Sequence, residues 1–173
     1  MSIIAPLLTL RDGAFVFWFI PRAILITIND LRVFTMYELL IISFSSHQSQ
    51  IKRIRRAVFC LEHNIPESKE FDDQDETAIH ALIQHNYEFV ATGRMLPDGH
   101  IGRIAVLTNH RGKGLGTRVL LALLEAAKQK GIKKVHLSSL KHAKHFYEKH
   151  GFEQHGPPFM EVGIEHINME RTI

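Results

Sequence analysis

The chain has 173 residues, of which 45% are hydrophobic and 23% are charged, a balance typical of one globular domain and unlike that of disordered or fibrous proteins. Its net charge of +3 is spread along the sequence, whereas a nucleic-acid-binding protein usually concentrates basic residues on one face. A single cysteine, Cys60, excludes an intramolecular disulfide. We therefore expect a cytoplasmic protein whose partner is a small anionic ligand rather than a nucleic acid.

Residues 1–35 differ from the rest of the chain and form a predicted N-terminal extension. Pro21 and Arg22 interrupt its apolar run, and neither half approaches the roughly 20 apolar residues that a membrane-spanning helix needs. The mixed charge before this run argues against a signal peptide, so no membrane partner is expected. Two interpretations stay open: the extension is an atypical part of a protein whose domain covers 36–173, or translation starts at Met36.

The first predicted elements are a strand over residues 37–44, which are rich in Leu and Ile, and a helix that ends near Pro66. The helix carries apolar residues at steps of three and four, which predicts one buried stripe along it. These residues are Ile51, Ile54, Val58 and Leu61.

Charged residues on and after this helix are interpreted as solvent-exposed. The basic ones lie mostly off the apolar stripe and are Lys52, Arg53, Arg55 and Arg56. Residues 67–76, ESKEFDDQDE, have no apolar period and are interpreted as a solvated loop. Less favoured alternatives are a nucleic-acid patch for the basic run and attraction of a cationic amine by the acidic one. For Arg94 and Arg103, binding an acidic group of the substrate and pairing with the acidic run both stay open.

Apolar runs and turn signals predict the remaining elements. The predicted strands cover 78–85, 87–96, 100–106, 132–140 and 165–171. The second and third of these form a hairpin around Pro97-Asp98-Gly99. A long helix that ends at Gly131 and a short helix over 141–150 complete the order, which predicts a mixed α/β fold.

The glycine-rich stretch at 111–117, RGKGLGT, gives the strongest indication of function. Glycine allows positive φ angles and close approach of a ligand, and the start of a helix offers unpaired N–H groups and partial positive charge. Together they predict a phosphate-binding turn with Arg111 and Lys113 at its rim. The spacing fits neither a P-loop nor a dinucleotide fingerprint, since Thr117 stands where the fingerprint needs its third glycine.

This stretch instead resembles the Q/R-x-x-G-x-G/A pyrophosphate loop of the GCN5-related N-acetyltransferases (GNATs), which bind acetyl-CoA. It follows GRIAV at 102–106, as the loop follows the fourth strand in that family. Residues 143–152 resemble the family signature A-x-x-F-Y-x-x-x-G-F. Across residues 37–171, the chain is similar to a small bacterial subgroup of predicted acyltransferases, with His63 where that subgroup more often has Gln.

The resemblance implies a fold and a way of binding acetyl-CoA. The expected fold is α/β, with a mixed, mostly antiparallel central sheet, helices on both faces, and splayed fourth and fifth strands. The pantetheine arm would pair with backbone in that gap, and the glycine turn would hold the pyrophosphate. The residues expected to bind acetyl-CoA are Ile104, Ala105, Val106, Arg111, Gly112, Lys113, Gly114, Leu115, Gly116, Thr117, Ala143 and Phe146.

The resemblance also implies direct attack of a primary amine, from a small metabolite or a peptide or protein lysine, on the thioester. Tyr147 is expected to protonate the leaving thiolate, the alternative being a core aromatic residue. His166, Glu62 and His63 are candidates for removing a proton from the amine. A non-catalytic acyl-CoA sensor is the alternative function, and a homodimer is left open.

No metal site is predicted, although the chain has 12 histidines. His142, His145 and His150 are spaced so that they do not share one helix face, and no cysteines stand at zinc-ligand spacing. Cys60 is expected to be a small buried hydrophobic residue.

Overall fold

The computed structural model describes residues 37–161 and 163–173, so the interpretations of residues 1–35 lie outside the described residues and stay predictions. The strands in chain order are β1 (Glu38–Ser43), β2 (Ile79–His85), β3 (Glu88–Met95), β4 (Ile101–Val106), β5 (Lys134–Leu140), β6 (Glu153–Gln154), β7 (Phe159–Glu161) and β8 (Ile164–Thr172). The helices are α1 (Gln48–Arg55), α2 (Glu67–Glu70), α3 (Leu115–Gln129) and α4 (Lys144–Glu148), and α1 continues as a π-helical segment over Arg56–Glu62. Within this part of the chain, no helix is long and apolar enough to cross a membrane.

The strands form two antiparallel sheets. β1, β2, β3 and β4 pair in chain order, while β8 lies between β5 and β6 and also pairs with β7. The expected α/β fold with mostly antiparallel strands is confirmed, and every predicted strand is present. β6 and β7 were not predicted, because they are two and three residues long and flank Pro157-Pro158, which leaves no periodic pattern to detect.

Helices cover both faces of the first sheet, as expected. In β2, Ala81 and Ile83 belong to the core that α3 covers, whereas Leu82 between them packs with Ile51 and Ile54 of α1. This alternation is the period-two pattern of a strand that is buried on both faces. Complete burial of a Leu or Ile side chain contributes roughly 1.5–3 kcal/mol, so both helices stabilise the sheet substantially.

The apolar stripe predicted for the first helix is correct for three residues and wrong for the fourth. Ile51, Ile54 and Val58 are buried, whereas Leu61 is 73% exposed. The helix widens to π geometry after Arg55, and its i to i+5 hydrogen bonds rotate the following residues around the axis. Steps of three and four residues therefore no longer lead to the buried face.

The charged residues near this helix are not all solvated, which corrects the sequence interpretation. Arg55, Glu70 and Asp75 are 1%, 1% and 2% exposed. Arg55 donates to Glu70 Oε1 and to Asp75 Oδ1, both at 2.6 Å. Arg94 of β3 donates to the same Asp75 oxygen at 2.6 Å. Buried ion pairs thus fix the acidic segment, residues 67–76, against α1 and β3, and Arg94 pairs with that segment.

β4 contains a β-bulge. Thr92 lies opposite Ala105 and Arg94 lies opposite Gly102, so β4 carries one residue more than β3 between these two pairs. Arg103, within the bulge, has a φ of 54°, in the left-handed region that residues with a Cβ rarely adopt.

β4 and β5 adjoin at one end and separate toward the other. His136 N–H donates to Gly99 O at 3.2 Å, and His100 forms an isolated parallel bridge with His136. Beyond this contact, a cavity of about 550 Å³ opens between the two strands. The expected splaying of the fourth and fifth strands is therefore confirmed.

Candidate active site

The turn before α3 has the backbone geometry that its glycines predict. Gly112 and Gly114 have φ angles of 72° and 73°. A Cβ at either position would meet no atom within 4 Å, so the turn faces open space. Gly114 is the N-cap residue of α3, and because it is a glycine, no side chain caps the N–H groups of the first helical turn. The N–H groups at the start of α3 can therefore receive an anion such as a phosphate.

The other residues of the turn differ in what they can offer to a ligand. Leu115 is buried in the core, so its backbone alone can meet a ligand. Gly116 lies beside Phe146, whose ring carbon Cζ would be 3.8 Å from a Cβ at that glycine. Lys113 is exposed at the rim, and Thr117 is half-buried in the first turn of α3.

Arg111 connects the turn to β4 and to the end of the first helix. Its Nε donates to Val106 O at 2.9 Å, and its Nη2 donates to Glu62 Oε2 at 2.7 Å. The same carboxylate accepts a hydrogen bond of 2.9 Å from the hydroxyl of Thr108. The hydrogen bond from Arg111 holds the pKa of Glu62 below its usual range. Glu62 is therefore a weaker base in this arrangement than a free carboxylate.

The outer edge of β4 presents backbone groups to the cavity. Leu107 N–H donates to Val90 O at 2.9 Å, which turns Leu107 toward β3. Successive residues of a strand point to opposite sides, so Ile104 and Val106 direct their N–H and C=O groups away from β3 and toward the cavity. Ala105 is also expected at this site. Its backbone N–H and C=O groups point toward β3, and its side chain is buried.

The cavity brings together residues that are far apart in the sequence. The expected residues that line it are Ile104, Val106, Arg111, Ala143, Tyr147 and His166. Ser138, Ser139 and Leu140 of β5 form the facing wall. The other expected residues, which are Glu62, Ala105, Phe146 and the turn residues 112–117, do not line the cavity. The volume of about 550 Å³ lies in the range of pockets that hold small molecules and cofactors.

Tyr147 places a phenol in the wall of this cavity. Its ring packs edge-on against Phe146 and Phe152, with ring centroids 4.9 and 5.9 Å away. Burial raises the pKa of Tyr147 from 10.0 to about 12. The hydroxyl is therefore protonated throughout the neutral range and can donate a proton to an anion that forms in the cavity.

The outer edge of β4, Tyr147 and Arg111 beside the glycine turn thus line one cavity. A model of the acetyltransferase (GNAT) domain matches residues 55–173. The chain belongs to the GNAT family. The uncharacterized protein YyaT of Bacillus subtilis is 37% identical to it over 127 residues, which are 70% of this chain and 86% of YyaT. The uncharacterized N-acetyltransferase YjcF of the same organism is 32% identical over 120 residues, which are 67% of this chain and 86% of YjcF.

Solved structures of GNAT proteins show the same fold. Escherichia coli ElaA superposes with a TM-score of 0.72 at 30% identity, covering 79% of this chain and 99% of ElaA. An acyl-CoA N-acyltransferase from Pseudomonas aeruginosa superposes with a TM-score of 0.73 at 25% identity, covering 79% of this chain and 99% of that one. As a GNAT protein, the chain is an acyltransferase, and its acyl donor is an acyl-CoA.

His166 is the best placed of the proton acceptors expected at this GNAT site. It lines the cavity, and its Nδ1 lies 2.9 Å from Ile164 O. A carbonyl oxygen can only accept, so Nδ1 carries the proton and Nε2 of the neutral ring is left to accept one. His63 also lines the cavity, at the end formed by the first helix.

Sequence reasoning missed several residues that line the GNAT cavity. They are Lys69, Ser138, Ser139 and Glu161. Glu70, which belongs to the acidic run considered for attraction of an amine, also lines the cavity and pairs with Arg103 at 3.0 Å. No sequence motif indicated Ser138 and Ser139, which line the cavity because β5 runs along its wall.

Two further predictions concern metal and thiol chemistry. Over residues 37–161 and 163–173, no three His, Cys, Asp or Glu side chains group as a metal site. Cys60 is half-buried rather than fully buried, and burial raises the pKa of its thiol. The reactive thiolate form of Cys60 is therefore disfavoured.

Proposed function

We propose that this protein transfers an acetyl group from acetyl-CoA to a primary amine, carried by a small metabolite or by a lysine of a peptide or protein. The observation that carries this proposal is one cavity lined by Arg111, which is the residue next to the glycine turn, by the outer edge of β4 and by Tyr147. Phosphate, amide and thioester groups of an acyl-CoA match these three parts in that order.

Acetyl-CoA would lie with its diphosphate on the turn at 112–117 and its pantetheine arm along β4. The arm's amide groups would pair with Ile104 and Val106 as an added strand does. Arg111 now donates to Val106 O from a position next to the turn. On binding, the pantetheine N–H would replace that bond, and the guanidinium would turn to the diphosphate.

The reaction forms a C–N bond and breaks a C–S bond without a covalent enzyme intermediate. The neutral amine attacks the thioester carbon, and an N–H group of the β4 edge stabilises the oxyanion. Tyr147 gives its proton to the departing CoA thiolate. His166 Nε2 accepts the proton that the amine must lose, directly or through water.

The acceptor amine would enter from the end of the cavity opposite the turn. Glu161 of β7 and His166 of β8 line the cavity, and both side chains suit an incoming ammonium group. Glu70 lines the cavity too, but its carboxylate is already paired with Arg55 and Arg103. Glu161, for which no ion pair is found within the part of the chain that the structure describes, therefore favours a cationic acceptor.

The test is a panel of amines and lysine peptides, assayed with acetyl-CoA for release of free CoA thiol. We expect at least one amine to release CoA in step with formation of its N-acetyl product. Calorimetry with acetyl-CoA, in the absence of amine, identifies the alternatives. Tight binding without thiol release for any amine would indicate a sensor, and no binding of any CoA thioester would exclude the proposed function.

A further inference from the structure

Arg103 occupies a backbone conformation that needs an explanation. It lies in β4, where φ is normally strongly negative, yet its φ is 54°. Residues with a Cβ persist in the left-handed region only when their surroundings enforce it, and such positions cluster at functional sites.

The bulge at Arg103 changes which residues of β4 face the cavity. Before the bulge, Gly99 O accepts from His136 N–H, so odd-numbered residues point toward β5. After the bulge, Leu107 N–H donates to Val90 O, so odd-numbered residues point toward β3 and even-numbered ones toward the cavity. One extra residue is needed to make this change of phase, and the bulge supplies it.

The side chain of Arg103 is held by the acidic segment. Its Nη2 donates to Lys69 O at 3.2 Å and its Nε donates to Glu70 O at 3.3 Å. Its Nε also lies 3.0 Å from Glu70 Oε2. Glu70 is itself immobilised by Arg55, whose Nε donates to its other carboxylate oxygen at 2.6 Å. These contacts offset the steric cost of the positive φ.

We propose that Arg103 is a positioning residue for acyl-CoA. Its side chain, fixed by the buried acidic segment, holds the bulge that directs the backbone groups of Ile104 and Val106 into the cavity. The acidic segment thus acts on the donor side of the reaction through the backbone of β4, and two of its residues, Lys69 and Glu70, also line the cavity. This inference rests on the proposed function in one respect, that acetyl-CoA occupies the cavity.

Glycine and alanine at position 103 separate the backbone role from the side-chain role. Both substitutions remove the contacts to the acidic segment, but only glycine takes a positive φ without steric cost. We expect Arg103→Ala to weaken acetyl-CoA binding, measured by calorimetry, between about fivefold and thirtyfold, the factor that the left-handed conformation costs a residue with a Cβ. Arg103→Gly should bind several times more tightly than Arg103→Ala, the reverse of the usual order of these substitutions in a strand.

Tyr87 provides the matched control, because it has a φ of 65° and is 97% exposed in the turn between β2 and β3. Tyr87→Ala and Tyr87→Gly should differ in thermal midpoint but not in acetyl-CoA affinity. Wild-type affinity in Arg103→Ala, or weaker binding by Arg103→Gly than by Arg103→Ala, would overturn the proposal. If the Ala variant does not fold, Arg103→Met, which keeps a long side chain with a Cβ but cannot pair with Glu70, replaces it, and wild-type affinity in the Met variant would overturn the proposal equally. Failure of the wild-type protein itself to bind acetyl-CoA would instead reject the proposed function, and this inference with it.

Discussion

Arg55 of α1 and Arg94 of β3 donate to one and the same oxygen, Asp75 Oδ1, each at 2.6 Å. All three side chains are at most 4% exposed. Two cations on one carboxylate are tolerated because Glu70 and Asp72 supply the remaining negative charge. The cluster is therefore a compensated network, and removing one member leaves a partner charge buried without compensation.

Replacement of Arg55 by Met is the direct test of this network. Arg55→Met leaves Glu70 and Asp75 short of a cation, and loss of one partner of a buried pair costs about 3–5 kcal/mol. The neighbouring residue Arg56 is the control, because it also pairs with a carboxylate, Glu67, but on the surface. Urea unfolding should show a large loss for Arg55→Met and no measurable loss for Arg56→Met. Equal stability of the two variants would mean that the buried pairs contribute nothing.

The difference between Arg55 and Arg56 also shows what the sequence could not predict. Both belong to the same basic run, and helical periodicity placed the run mostly off the buried stripe. The partners of Arg55 lie 15 and 20 residues further along the chain, in a segment without apolar residues at regular spacing. A periodic pattern reports which face is apolar, and it carries no information about which charge will be buried with its partner.

Gly93 in β3 should not tolerate a larger residue. A Cβ at this position would lie 2.5 Å from Val119 Cγ1 of α3 and 3.1 Å from Ile104 Cγ1. Since Val is stiff, the helix or the strand must move, and overpacking of this kind costs about 1–3 kcal/mol. Gly93→Ala should lower the free energy of unfolding by this amount. Gly102→Ala is the control, because a Cβ there meets nothing within 4 Å, and a similar loss in both variants would contradict the packing argument.

Tyr147→Phe tests the role of the phenol. The ring contacts with Phe146 and Phe152 are retained, so acetyl-CoA affinity and stability at neutral pH should be unchanged. Loss of the proton donor should lower kcat between about 100-fold and 10,000-fold. Tyr87→Phe, at an exposed position that does not line the cavity, should leave kcat unchanged. An unaltered kcat in Tyr147→Phe would remove the phenol from the mechanism.

The buried side chain of His80 leads us to expect that the protein loses stability in mild acid. Its Nε2 lies 3.0 Å from Asp75 O, and its Nδ1 is the one buried side-chain polar atom without a partner among the described residues. Burial lowers the pKa of His80 below its ordinary value of 6.5. The folded protein therefore binds this proton less readily than the unfolded chain, so stability is complete above pH 6.5 and falls as the pH drops toward the folded-state pKa.

Unfolding free energies measured between pH 7.5 and 5.5 should show this dependence in the wild-type protein. The slope contributed by one such group is at most about 1.4 kcal/mol per pH unit. His80→Gln keeps an N–H donor and cannot titrate, so its profile should be flatter over the same range. Parallel profiles for the two proteins would assign the acid sensitivity to other groups.

The candidate site was predictable where its features are local in sequence. The glycine turn and the motif around Tyr147 can each be recognised from a stretch of about ten residues, because the backbone conformation of a turn and the face of a short helix are determined locally. The contact of Arg111 with Glu62 joins residues 49 positions apart, and no local pattern could predict it. The backbone groups of Ala105 point away from the cavity because of the bulge, whose one extra residue shifts the register between β3 and β4. A sequence pattern does not show such a shift.

The outward direction of two β4 amides has a consequence for isotope exchange. Ile104 and Val106 belong to β4, which lies at the edge of the first sheet, and their N–H groups face the cavity and not β3. In deuterated solvent they should exchange readily from the native state, whereas Ala105 and Leu107, which bond to β3, should exchange only when the sheet opens locally. An acyl-CoA in the cavity would protect the first pair and leave the second nearly as it was, so the alternating pattern of protection along four consecutive residues would itself report occupancy.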